Sequence, residues 1–399
     1  LIIPKRRLTL AAILFILLSG LGVWLSPKLE SKKSPQQISK SESSASNSGI
    51  GSSQGLSPGE ALQAGFSSGV EKYPNLGEVQ TAKEFKTPEE KRNYLRLLEG
   101  YGFRGAEAVA FLKTALNDPD QEVRRAAMRG LGKTETAEAE SILMTYAKDG
   151  VAIEESTEAA LVLGQMKNSA VTGKIENLLS QARDPVLRDH LVDALAGRPW
   201  EQSSRFFTEH LKNPNIGVEE KQNALAMLGM RDTAPAGVLT GALGDSKEEV
   251  RAGAYRGLAW RNETKASAQV RSSLNRETDA GLRSLAYEAW GNQIDAKCSE
   301  IQADYRKETQ PEVQLRALKA WARAYGREPV EGDSFAAEAL GKLEQVAMND
   351  RDPGERKEAL AGLQAIGSKE SKGALGRIAV NNSSARIRNL AKSMSSSGH

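Results

Sequence analysis

A segment beginning at Glu122, EVRRAAMRGLG, returns at a nearly constant interval through most of this chain. Taking Val123 as position one, that position reads Val123, Glu155, Leu187, Glu220, Val250, Leu282, Val313, Glu355 and Ile387. Four residues on stand Ala127, Ala159, Leu191, Ala224, Ala254, Ala286, Ala317, Ala359 and Ala391. Four further come Leu131, Leu163, Leu195, Leu228, Leu258, Trp290, Trp321, Leu363 and Ser395. Positions one, five, eight and nine fall on one stripe of a 3.6-residue helix. The steps along the alanine column are 32, 32, 33, 30, 32, 31, 42 and 32 residues. A hairpin of two such helices cannot cover its own apolar stripe, whereas a stack of hairpins covers each stripe with the next. The expected fold is therefore all-α, an α-solenoid of helical hairpins.

Position two carries a second signature: Arg124, Ser156, Arg188, Lys221, Arg251, Arg283, Gln314, Arg356 and Arg388. Six residues earlier stand Asp118, Asp245, Glu277, Glu308 and Asp350, with Ala182 and Asn382 as exceptions. An acid in the inter-helix turn and an arginine in the next helix suggest a ladder along the stack. Its members would be Arg124, Arg251, Arg283 and Arg356 with Asp118, Asp245 and Asp350. Pro119, Pro185, Pro214, Pro311 and Pro353 punctuate the same turn. These columns resemble the HEAT repeat, most closely its short bacterial form, the PBS-lyase HEAT-like repeat, over residues 88–399. The resemblance implies a long surface suited to holding an extended protein partner. Some arrays of this kind are DNA glycosylases and others act on bilin chromophores, so an enzyme or chromophore lyase working on the concave surface is the alternative. No catalytic residue of either group has a counterpart here. Glu155, Glu220 and Glu355 depart from the apolar first position, and loose packing is expected where they stand.

Ahead of the array, Leu8–Leu25 is an uninterrupted apolar run preceded by Lys5, Arg6 and Arg7. At 1.5 Å per residue it spans about 27 Å as a helix, enough to cross a hydrocarbon core. Residues 1–30 are read as an uncleaved signal anchor; cleavage near Gly20-Leu21-Gly22 is the competing reading. The basic N-terminus places the array outside the cytoplasm, periplasmic if the membrane is an inner one. Lys28, Lys32 and Lys33 beyond the span weaken that bias. Residues 31–58, rich in Ser, Gly, Gln and Lys, read as a disordered tether with an r.m.s. reach of roughly 30 Å. Residues 59–87, with a short helix around Gly59–Val70, form a cap region, and Thr87-Pro88-Glu89-Glu90 starts the array.

Charge narrows the function classes. The chain carries a net charge of +3. Residues 1–58 hold seven Lys/Arg against two Glu, so everything beyond them is −2. An array of that charge lacks the positive excess on which nucleic-acid binding depends. The single cysteine, Cys298, cannot form an intrachain disulfide. The histidines, His190, His210 and His399, are far apart, and no metal, thiol or nucleophile motif occurs. Gly100-Tyr101-Gly102-Phe103-Arg104-Gly105 matches a dinucleotide fingerprint but follows a helix rather than a strand, which makes it an inter-helix loop. Neither catalysis, a cofactor nor a metal is expected. Seven Tyr and Trp residues cluster between Tyr255 and Tyr325. Trp290 and Trp321 occupy the buried column, whereas Tyr255, Trp260 and Tyr287 lie just past the columns, with Arg256 beside them. Positions three, seven and eleven form a separate outward face, basic at Arg125, Arg129 and Lys133 and aromatic at Trp260. The expected partner site is therefore Tyr255, Arg256, Trp260 and Tyr287.

Overall fold

The computed structural model describes residues 87–101, 106–148, 150–330, 333–349 and 352–396. The signal anchor, the tether, most of the cap region, Asp350 and His399 lie outside them. The described helices belong to one compact unit, Asn75–His399. Among the described residues there are nineteen helices and no strand, and no helix is long and apolar enough to cross a membrane.

The helices alternate between two layers. One layer holds α1 (Pro88–Tyr101), α3 (Gln121–Thr134), α5 (Ile153–Gln165), α7 (Pro185–Ala196), α9 (Val218–Arg231), α11 (Glu248–Ala259), α13 (Ala280–Asn292), α15 (Pro311–Arg327), α17 (Pro353–Ile366) and α19 (Ala385–Ser396). Between them in sequence come α2 (Ala106–Ala115), α4 (Ala137–Tyr146), α6 (Ala170–Gln181), α8 (Trp200–Lys212), α10 (Ala236–Ala242), α12 (Ser267–Leu274), α14 (Cys298–Tyr305), α16 (Ser334–Asn349) and α18 (Lys369–Asn381). Each odd helix packs on the next odd one and on the even helix before it. The repeated columns are the odd helices, and their stripe is the core: Val123, Ala127 and Leu131 in α3 and Val313, Ala317 and Trp321 in α15 are fully buried. Local sequence sets the helix starts. Asp120, Asp184 and Asp279 each accept hydrogen bonds from the first free N–H groups of α3, α7 and α13. The 42-residue step is absorbed by α15 and α16, which are 17 and 16 residues long.

Two devices join one repeat to the next. The first is the position-two arginine. Arg124 Nη1 donates to the Asp118 carbonyl at 2.8 Å, and its Nε donates to Glu155 of the next repeat at 2.6 Å. Arg188 donates to the Ala182 carbonyl at 3.0 Å and to both oxygens of Glu220. Arg251 donates to the Asp245 carbonyl and, through Nε and Nη2, to Glu277 at 2.7 and 2.8 Å. Arg283 repeats the pattern on the Glu277 carbonyl and on Glu308. Within a repeat, then, the acceptor six residues back is a main-chain carbonyl and not the acid. The Asp118 carboxylate is bound to Lys91 and the Asp245 carboxylate to the Lys247 N–H. This corrects the acid ladder within a repeat; between repeats the turn acids Glu277 and Glu308 do accept from Arg251 and Arg283. The carbonyl acceptor also explains why Ala182 and Asn382 serve as well as aspartate, since Arg388 donates to the Asn382 carbonyl. The odd glutamates at position one need a second correction: Glu155 and Glu220 are the acceptors for Arg124 and Arg188 rather than marks of loose packing.

The second device is direct backbone contact. A methyl group on Gly164 would lie 2.7 Å from the Ala194 Cα of the next odd helix, and one on Gly253 would lie 2.7 Å from the Gln222 Cα. A methyl on Gly229 would overlap the Gly257 backbone outright. Only glycine permits such an approach at these points.

The two devices alternate in the first half of the array. At α3–α5 and α7–α9 an arginine meets a position-one glutamate. At α5–α7 and α9–α11 position two is Ser156 or Lys221, no such rung forms, and helices meet through glycine. The glycine seam of α9 and α11 is longer than the contact of α7 with α9. At α11–α13 and α13–α15 two rungs follow in succession, with the acid supplied from the inter-helix turn by Glu277 and Glu308; at α15 position two is Gln314, which donates to the Glu308 carbonyl of its own repeat.

Candidate functional site

Four odd helices, α5, α7, α11 and α13, have their C-terminal turns tied to the next repeat. Arg198 is buried and donates to the Gly164 and Met166 carbonyls at the end of α5. Thr233 donates to the Ala196 carbonyl, Gln293 to that of Leu258, and Arg327 to that of Gly291. These carbonyls are the free acceptors of a helix terminus, and a neighbour's side chain satisfies them. Sequence reading missed this second series because its acceptors are main-chain atoms with no residue signature.

At the C-terminal ends of four successive odd helices stands a series of exposed apolar side chains. Met230 ends α9 with 38% of its surface exposed, and Trp260 follows α11 with 63%. Ile294 follows α13 with 52% and Val330 follows α15 with 49%. Among the described residues these are four of the six large apolar side chains that are exposed. Met230 and Trp260 hold the same position in successive repeats, and the Ile294 N–H donates to the Glu263 carbonyl just beyond Trp260. Apolar side chains scattered singly need no explanation; a series at the same helix end in four successive repeats does.

One charge in this region is uncompensated. Arg256 stands one helical turn before Trp260, half-buried, and no described carboxylate pairs with it. Burial lowers its pKa from the ordinary arginine value, the expected effect on a cation partly removed from water. Arg256 and Met230 each lie one residue from the Gly257–Gly229 contact, so they flank the same seam.

Tyr255 and Tyr287 are not part of this surface. Both are fully buried. The Tyr255 hydroxyl donates to Ser273 at 2.7 Å and to Glu277 at 3.1 Å, and the Tyr287 hydroxyl donates to Glu308 at 2.8 Å. Burial, together with the neighbouring glutamates, raises both phenol pKa values, so each hydroxyl stays a donor. They complete the rungs of Arg251 and Arg283. The basic face near Arg125 is corrected too, because Arg125 and Arg129 both bind Glu158 of the next repeat. Of the four residues expected to bind a partner, Trp260 and Arg256 are available and the two tyrosines are not.

Two shallow pockets lie elsewhere. One, of about 310 Å³, is lined by Leu363, Gly367, Ser371, Lys372 and Met394; the other, of about 360 Å³, lies between α6 and α8. Among the described residues no group of three or more His, Cys, Asp or Glu is placed to hold a metal ion.

The paired, all-helical layers define a repeat solenoid. Residues 80–157 match the family model of HEAT repeats, and this match together with the helix-pair architecture supports the HEAT repeat family. No curated protein matches the chain. Among solved structures the chain is similar to an engineered protein, with 18% identity and a TM-score of 0.33, covering 79% of this chain and 97% of that one. It is similar to human deoxyhypusine hydroxylase in complex with glycerol, with 18% identity, a TM-score of 0.27, and 68% and 97% covered. It is also similar to YibA of Escherichia coli, with 12% identity, a TM-score of 0.35, and 78% and 98% covered.

Proposed function

We propose that this chain is a membrane-anchored HEAT-repeat scaffold that holds a partner protein in the cell envelope, acting by binding and not by catalysis. The apolar series from Met230 to Val330, with Arg256 lacking a counter-charge beside it, carries the reading. A surface of that make-up gains most from a partner segment that lays apolar side chains along these helix ends and brings a carboxylate to Arg256. The basic-then-apolar N-terminus supplies the anchor, and the polar residues 31–58 supply roughly 30 Å of slack for the array to find its partner.

A photo-crosslinking amino acid placed at Trp260 and, separately, at exposed Val186 on α7 tests this in cells. The expected result is a discrete adduct from position 260 that is absent from position 186 and falls at least tenfold when Arg256→Glu is added. Equal adducts from both positions, or no effect of Arg256→Glu, would overturn these helix ends as the partner site.

A further inference from the structure

Every carboxylate in the described rungs has a third neighbour. For Glu277 and Glu308 it is a tyrosine hydroxyl, and Tyr146 stands near enough to Glu155 to feel its charge. At Glu220 the neighbour is an imidazole. His210, only 6% exposed, places Nε2 at 3.4 Å from Glu220 Oε1, and that nitrogen makes no hydrogen bond. Its ring lies against Phe206, 4.8 Å between centroids. A phenol keeps its proton across the whole physiological range, whereas an imidazole changes charge within it.

The joint around His210 is also one of the two charged joints in the first half of the odd layer. Between α7 and α9 run Arg188–Glu220, Asp189–Asn223 at 3.2 Å and Asp193–Arg231 at 2.6 Å, where α9–α11 has glycine backbone contact instead. We propose that His210 makes the α7–α9 joint an acid-sensitive hinge. Protonation would put a second buried cation in competition with Arg188 for the one carboxylate of Glu220, and α8 would separate from α9. Facing groups come from each helix packed on α8: Glu176 from α6, Arg188 from α7, and Glu220 and Lys221 from α9. On α8 itself Arg205 and Glu209 pair with each other at 3.0 Å. The one carboxylate whose charge acts on His210, Glu220, is already occupied by Arg188, and Lys221 adds a second positive charge.

Burial, with Arg188 and Lys221 adding to it, holds the imidazole below its ordinary pKa against the pull of Glu220. The closed joint therefore prefers neutral His210. That contribution is complete above the ordinary value of about 6.5 and is lost as pH falls from there toward the depressed value. Whether or not a partner occupies these helix ends, α9 carries Met230, so the hinge moves one end of the apolar series.

Hydrogen–deuterium exchange of the full chain between pH 7.5 and 5.5 tests the hinge. Protection factors, corrected for intrinsic exchange, should fall in α8 by up to about tenfold per pH unit below 6.5, the limit set by one proton. They should hold steady in α13 and α15. His210→Gln should leave α8 flat across this range. Unchanged α8 protection in the natural chain, or the same fall in His210→Gln, would overturn the proposal. An NMR titration of the natural chain decides the matter if that variant misfolds: a His210 pKa at or above 6.5 is incompatible with the hinge.

Discussion

At the scale of single residues, the position-two arginine ties two repeats with one side chain. Arg251 satisfies a turn carbonyl in its own repeat and both oxygens of a buried carboxylate in the next, and bonding to Glu277 raises its pKa further. Arg251→Ala leaves Glu277 with only the Tyr255 hydroxyl, in a site where the glutamate is 5% exposed. The expected loss is about 1–3 kcal/mol, read as a lower urea midpoint. Arg251→Lys should recover only part of it, because an ammonium cannot span both oxygens and the carbonyl in the way a planar fork does. An Arg251→Ala midpoint equal to that of the natural chain would show that the rung adds nothing to stability. The arginine column was legible in the sequence, but its acceptors were not, since a spacing between residue types cannot reveal a bond to a carbonyl. Tyr255 and Tyr287 were misplaced for a related reason. One amphipathic stripe describes a helix covered on one side, whereas an odd helix is covered by two odd neighbours and an even one, so its buried arc is wider.

At the scale of elements, the seam between α9 and α11 is set by glycine. Gly229, Gly253 and Gly257 each press on the neighbouring backbone, where a side chain has nowhere to go. Gly229→Ala should therefore cost at least the 1–3 kcal/mol typical of overpacking, even though alanine favours a helix. Gly241→Ala is the control: a methyl group there meets nothing within 4 Å. Thermal melts of the two variants check this, and equal melting temperatures would refute the seam. Helix pairs, their number and their starts were readable, because an apolar period and Asp or Pro at the helix start leave marks in sequence. The alternation of rung and seam was written in the first two columns, as Val-Arg, Glu-Ser, Leu-Arg, Glu-Lys from Val123 to Lys221. Its meaning appears only when the glutamate of one repeat is seen against the arginine of the one before.

At the scale of the whole molecule, the apolar run Leu8–Leu25 and the three basic residues before it predict an array outside the cytoplasm. A C-terminal alkaline phosphatase fusion should be active and a reporter that folds only in the cytoplasm should be silent, and the opposite pattern would reverse the topology. Because each repeat touches only its neighbours, stability is a sum along the chain, and weak joints stay weak wherever strong ones are placed. The alternation then acquires a mechanical meaning. Under a pull along its length, α5 with α7 and α9 with α11 travel as stiff blocks, since a glycine seam has no intermediate spacing at which its contacts survive. The charged joints α3–α5 and α7–α9 can lengthen gradually while water takes over their hydrogen bonds. Along the first half of the array, joints that can stretch alternate with joints that cannot.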